Sequence, residues 1–192
     1  MSPNKPDEDG DEATIYVYDV ISEWGGVGAK DFVSGVNSLK ARTIHLRINS
    51  PGGDVFEARA MKAALEQHSA KVVAHVDGLA ASAASFLMLG ADEVEIADGA
   101  FVMIHNAWGF SMGDAREMRA TAELLDKITN TIAGDYHGKT GLKMADLRQM
   151  MDDETWLDSA EALAKGFVDR IAPRSNKASA AALSARFDLS AY

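Results

Sequence analysis

The sequence predicts an α/β fold of repeated β-α units, with a mostly parallel sheet covered by helices. Three observations carry this. Short β-branched and aromatic runs alternate with segments of helical periodicity through the first half of the chain, the pattern of right-handed βαβ crossovers. Small-residue clusters stand at two strand-to-helix junctions, "INSPGGDVFEA" and "DGLAASAAS". Finally, 47% hydrophobic and 25% charged residues in 192 is the balance of one globular domain with a substantial core. In such folds, sites form where strands turn into helices at their carboxyl ends.

The elements follow in order. "ATIYVYDV" is rich in β-branched and aromatic residues and reads as a strand. "AKDFVSGVNSL" has Phe32, Val36 and Leu39 at helical spacing. "RTIHLRI" alternates as a strand does. "DVFEARAMKAALEQH" reads as a helix, with Asp54 as N-cap and Phe56, Ala60, Ala63 and Ala64 on one face. "KVVAHV" is a strand expected to end at Gly78. "ASAASFLML" is almost wholly apolar, hence a buried helix with Ser82 in its first turn. "EVEIA" and "AFVMIH" are short strands. "DAREMRATAELLDKITNTIAGDYHG" is a long helix with Met118, Ala122, Leu125, Ile128 and Ile132 inward and Gly138 as C-cap. "KMADLRQMM" and "SAEALAKG" are shorter helices, and "FVDRI" is a last strand or edge segment.

The expected organisation is an acidic, disordered tail over 1–12, one domain over 13–172, and a flexible, small-residue-rich tail over 173–192. A net charge of −10 argues against nucleic acid as a partner. The N-terminus lacks a basic and an apolar signal region, and no apolar run approaches the ~20 residues that span a bilayer. A cytoplasmic protein with no membrane partner is expected. With no cysteine, thiolate chemistry is excluded, and no two histidines stand at a metal-ligand spacing, so neither metal nor cofactor is expected.

The junctions carry the chemistry. At Gly52-Gly53 the backbone N–H groups can approach a ligand closely, and the next helix adds its positive end, which suits a developing oxyanion. The plain alternative is a turn. At the second junction Ser82 can point its hydroxyl into a cleft among alanines. Ser85 fits the commoner case of a buried hydroxyl bonded to a carbonyl one turn back. His105 ends a strand before the loop "NAWGFSMG" and is placed as a general base. His45 and His75 lie mid-strand, and His68 and His137 close helices. The run "MDDETWLDSAEA" offers Asp152, Asp153, Glu154 and Asp158 as an orienting acid, or else is a solvated turn with Asp158 or Ser159 as N-cap.

Taken together, "INSPGGDVFEA", "DGLAASAASFLMLGA", "VMIHNAWG" and "DDETWLDSAEALAKGFVD" resemble the proteolytic subunit of the Clp protease, and more closely the Clp-type serine proteases of phage and prophage genomes. The resemblance runs from about Ile15 to Ile171. It implies a crotonase-like fold and rings whose chambers enclose the active sites. It implies Ser82 as nucleophile, His105 as base, and the N–H groups of Gly53 and Ala83 as oxyanion hole. The family usually has Asp two residues before an aromatic, and a Glu there is one methylene longer. Trp156 puts Glu154 in that place, with Asp153 as the alternative. The helix from about 114 to 137 matches the family's handle, through which rings meet.

The expected function is therefore a serine endopeptidase with no cofactor, acting on protein or peptide substrates as a homo-oligomer. A phage head-maturation protease cutting capsid or scaffold segments is the leading setting, in bacterial cytoplasm or inside a procapsid. The family's housekeeping subunit carries an N-terminal axial segment that engages an AAA+ ATPase. The dozen residues before the first strand do not match it, so dependence on that partner is left open. The alternatives are such a housekeeping subunit, a crotonase-fold acyl-CoA enzyme, a Ser–Lys dyad peptidase, and a non-catalytic assembly protein.

Overall fold

A computed structural model describes residues 7–173. The expected C-terminal tail lies, but for its first residue, outside the described residues. Strands β1 to β8 span Asp7–Asp9, Glu12–Val17, Thr43–Ser50, Lys71–Ala81, Glu93–Ile96, Phe101–Ile104, Thr155–Asp158 and Arg170–Ile171. Helices α1 to α6 span Ala29–Ser38, Val55–Gln67, Ala83–Leu87, Ala115–Thr140, Met144–Asp152 and Ser159–Ala164, with a 3₁₀ turn at Met88–Gly90.

The strands form one sheet in the order β1-β2-β3-β4-β5-β8, parallel except for β1. This is the predicted α/β architecture. Residues 7–9, expected within the disordered tail, instead pair antiparallel with β2, so the ordered part begins before residue 13. Hydrophobic alternation sets one face of β3 and β4 inward: Ile44, Leu46, Ile48, Val72, Ala74 and Val76 are buried with Phe32 of α1 and Met61 and Leu65 of α2. The opposite face is polar. There His45 Nδ1 lies 2.9 Å from His75 Nε2, and His75 Nδ1 lies 3.1 Å from Glu95 Oε1. Both mid-strand histidines are thus absorbed by cross-strand neighbours.

Strand β4 does not end at Gly78. Its pairing with β3 slips between Ile48↔Val76 and Ser50↔Ala80, a bulge that bends the strand away from β5. Val73–Val76 pair with β5, while Leu79–Ala81 pair with β6. This fork sends the carboxyl ends of β4 and β6 out side by side. A second unexpected strand is β7, read from sequence as a turn. It pairs antiparallel with β6, Ile104 opposite Thr155.

Two helical faces and two helix ends differ from expectation. In α2 the buried positions are Ala58, Met61, Ala64 and Leu65, whereas Phe56 is 62% exposed and Ala60 is exposed. The larger Met61 and Leu65, four apart, decide which face packs. In α4 only Ile132, Ala133 and Tyr136 are buried; Met118 and Ala122 are exposed, and Leu125 and Ile128 are half-buried. The helix runs past Gly138 and closes at Gly141, whose φ of 69° supplies the left-handed cap. Finally, Ser82 is the N-cap of α3 rather than a first-turn residue.

Candidate active site

Ser82 occupies the turn between β4 and α3 with φ 53° and ψ −124°, a conformation costing a non-glycine residue about 1–3 kcal/mol. The surroundings hold it there. Its N–H donates to Met103 O at 2.9 Å, and its own carbonyl accepts the Ser85 N–H at 2.9 Å and the Ser85 hydroxyl at 2.6 Å. Ser85 therefore has the local bond expected of it. The sharp turn presents the Ser82 side chain to a groove rather than to the core.

The Gly52-Gly53 loop packs against this turn. A Cβ on Gly52 would stand 2.5 Å from Ala81 O and 2.7 Å from Ala83 N. A Cβ on Gly53 would stand 2.2 Å from Ile21 O. Both residues have positive φ, 89° and 144°. The segment at Ile21 binds the loop as a strand would: Ile21 N donates to Gly52 O and Asp54 N donates to Ile21 O, both at 2.8 Å. In that pattern the bonded groups flank Gly53, so its own N–H faces the other way. Gly53 and Ala83 both line the groove beside Ser82. Buried Ser50 braces the loop, donating to Asp19 O at 2.7 Å and accepting the Gly52 N–H at 3.1 Å. Asp54 caps α2 as expected, accepting from Phe56 N and Glu57 N.

His105 follows β6, and the β4/β6 pairing places its Nε2 2.7 Å from Ser82 Oγ. Burial lowers its pKa below the ordinary value; the negative charge of Glu154 opposes that shift. Glu154 reaches this position because β7 pairs with β6: one step past Ile104↔Thr155, His105 stands opposite Glu154. Its left-handed φ of 50° reverses the chain between α5 and β7. The carboxylate is exposed, with Oε1 3.4 Å from Trp156 Nε1. Asp153 accepts from Gln149 Nε2 at 3.0 Å, and Asp152 from Asn106 Nδ2 at 2.6 Å. Among the described residues no carboxylate hydrogen-bonds His105 Nδ1. Of the four acids named from sequence, Glu154 is the one whose charge acts on the imidazole. Asp158 caps α6 in a capping box.

The groove measures about 680 Å³. Phe86, Met103, Leu125, Ile128, Ile132 and Tyr136 give it an apolar wall, while the amides, Ser82 and His105 supply polar groups at one end. The sequence reading missed Ser50, which the motif itself contains, and Tyr136, hidden in the tail of a helix pattern. No group of three or more His, Cys, Asp or Glu among the described residues could hold a metal ion. Among them, too, no helix is long and apolar enough to cross a membrane.

Residues 30–175 match the Clp protease family. Two similar curated relatives are each an "ATP-dependent Clp protease proteolytic subunit". The one from Chlorella vulgaris is 30% identical over 131 residues, 67% of this chain and 65% of the relative. The one from Oltmannsiellopsis viridis is 30% identical over 135 residues, 69% of each. The chain thus spans about two thirds of the length of these relatives.

Proposed function

The chain belongs to the Clp protease family, a family of serine-type peptidases, and from that premise we propose that it is an endopeptidase using Ser82, His105 and Glu154. One observation carries the assignment of residues: the 2.7 Å contact between His105 Nε2 and Ser82 Oγ at the polar end of an apolar groove. Ser82 Oγ attacks the scissile carbonyl carbon and its proton passes to His105 Nε2. The carbonyl oxygen, now negative, is received by the N–H groups of Gly53 and Ala83. His105 then gives the proton to the leaving amine, and water repeats the sequence on the acyl-enzyme. Burial favours the neutral imidazole of His105, the state a base requires. Glu154 stabilises the imidazolium by its charge and takes precedence over Asp153, which is turned to Gln149.

The groove is a poorer fit to crotonase-type acyl-CoA chemistry. That chemistry uses carboxylates as acid and base, and the lining carries one, Asp54, which is engaged in capping α2.

The unit of activity is a homo-oligomer, with rings as the family's form. Phe110 and Met112 are 95% and 97% exposed beside the half-exposed apolar stripe of α4, a surface that suits a partner copy. The setting is head maturation in a phage, with capsid or scaffold segments as substrates, on the motif resemblance. A second reading, a subunit working with an AAA+ unfoldase, has the relatives' names in its favour. Hydrolysis of an unfolded polypeptide by the purified protein separates them. Cleavage without ATP, abolished by Ser82→Ala, is expected. Activity only with an added unfoldase and ATP supports the second reading, and hydrolysis undiminished in Ser82→Ala overturns the assignment.

A further inference from the structure

We infer that Tyr136 and Ser85 are positioning residues that aim and polarise the Ala83 amide. The inference rests on the proposed reading in which Ala83 N–H is one of the two oxyanion donors. It starts from a covalent fact: the carbonyl of Ser82 and the N–H of Ala83 belong to the same peptide unit. That unit is planar and trans, so the two groups point in opposite directions. Whatever fixes Ser82 O fixes the line along which Ala83 N–H points.

Ser82 O is held from two directions by one residue, Ser85, through its N–H at 2.9 Å and its hydroxyl at 2.6 Å. A hydroxyl has one hydrogen. With that hydrogen spent on Ser82 O, the 2.6 Å contact between Ser85 Oγ and Tyr136 OH has Tyr136 as donor. Tyr136 is 1% exposed and burial pushes its phenol well above the usual range, so the donor stays neutral at any working pH. The result is a directed chain: Tyr136 O–H to Ser85 O–H to Ser82 C=O. Each bond polarises the next, and a carbonyl that accepts more strongly leaves its amide N–H a better donor. The last link of this chain is the N–H facing the groove.

A serine bonding back to a nearby carbonyl is commonly local filler. Two features set Ser85 apart. Its second partner comes from α4, 51 residues away, and has an aromatic ring fixed by a T-shaped contact with Phe167 at 5.5 Å. And the carbonyl it holds belongs to the strained residue that opens a helix of only five residues, where few other bonds resist relaxation. The chain also ties the amide to α4, whose Leu125 and Ile128 form the groove wall.

Tyr136→Phe and Ser85→Ala, with the double variant, test this by peptide hydrolysis normalised to the fraction of sites titrated with a fluorophosphonate. Losing an oxyanion donor outright costs about 10²–10³ in turnover, so losing its support is expected to cost about tenfold in kcat per active site. KM should stay within about twofold, because the ground-state carbonyl gains little from the donor. Binding of a peptide boronic acid, whose adduct places an oxygen at the same amide, should weaken by the same factor. The double variant should be no worse than either single one, since both cut one chain. A merely structural role would lower the titrated fraction or the melting temperature and leave kcat per site intact; that result, or an additive double variant, overturns the inference. Failure of the parent reading looks different: the unsubstituted protein would not be labelled at Ser82.

Discussion

The two sides of His105 are built differently. On the Nε2 side, the partner is a serine fixed by strand pairing, by a bulge in β4, and by bonds to buried groups, at 2.7 Å. The second partner is an exposed glutamate on a turn between α5 and β7, which acts on the ring through charge. The first contact joins side chains whose backbones the strand pairing holds side by side. The second belongs to a solvated side chain with many rotamers. The contrast teaches that the fold itself positions the proposed nucleophile, base and oxyanion amides, whereas the proposed acid is a weaker, adjustable addition.

The comparison can be broken from either side. The largest effect is expected on the rigid side. Gly53→Ala puts a Cβ 2.2 Å from Ile21 O at a φ of 144°, so the loop must move and one oxyanion donor with it. Turnover should fall by about 10²–10³ with little change in KM, read by steady-state kinetics. On the exposed side, Glu154→Gln should cost about 10- to 100-fold, short of the roughly 10⁴ seen when a buried, hydrogen-bonded triad acid is lost. Asp153→Asn should be nearly silent.

The sign of the pH effect sharpens the same point. His105 titrates below its ordinary value because burial disfavours the cation, so the acid limb of activity should lie lower than an ordinary histidine would set it. Glu154 raises that pKa, so Glu154→Gln should move the acid limb to still lower pH. A limb that stays put would mean that Glu154 does not act on His105. The smallest effect on the site itself is expected from Met112→Ser with Met118→Ser, two exposed residues outside the groove. This pair should lower the mass measured by light scattering, and polypeptide cleavage should fall with it while Ser82 is still labelled by a fluorophosphonate.

Much of this site was legible in the sequence because its parts are local. Ser82, His105 and Gly53 each sit at a strand end, and a strand end is readable from periodicity and small residues. Ser85 and Asp54 made the bonds their positions imply. The acid was only partly legible: β7 lay hidden in "TWLD", so the register opposite His105 could not be counted from residues alone. The stripe on α4 was read as core because periodicity reports an apolar face without saying what covers it. Tyr136 was invisible for another reason. Its role depends on one hydroxyl reaching a residue 51 positions away, and no local pattern encodes that contact.

The account rests on Ser82 being activated by His105, and covalent labelling tests this most directly. The intact protein is treated with a fluorophosphonate across pH 5 to 8 and the modified residue is identified by peptide mass spectrometry. The account predicts one label, on Ser82, forming at a rate that falls toward the acid end of that range and is lost in His105→Ala. Label on Ser85 or another hydroxyl, or a rate on Ser82 indifferent to His105, would contradict it.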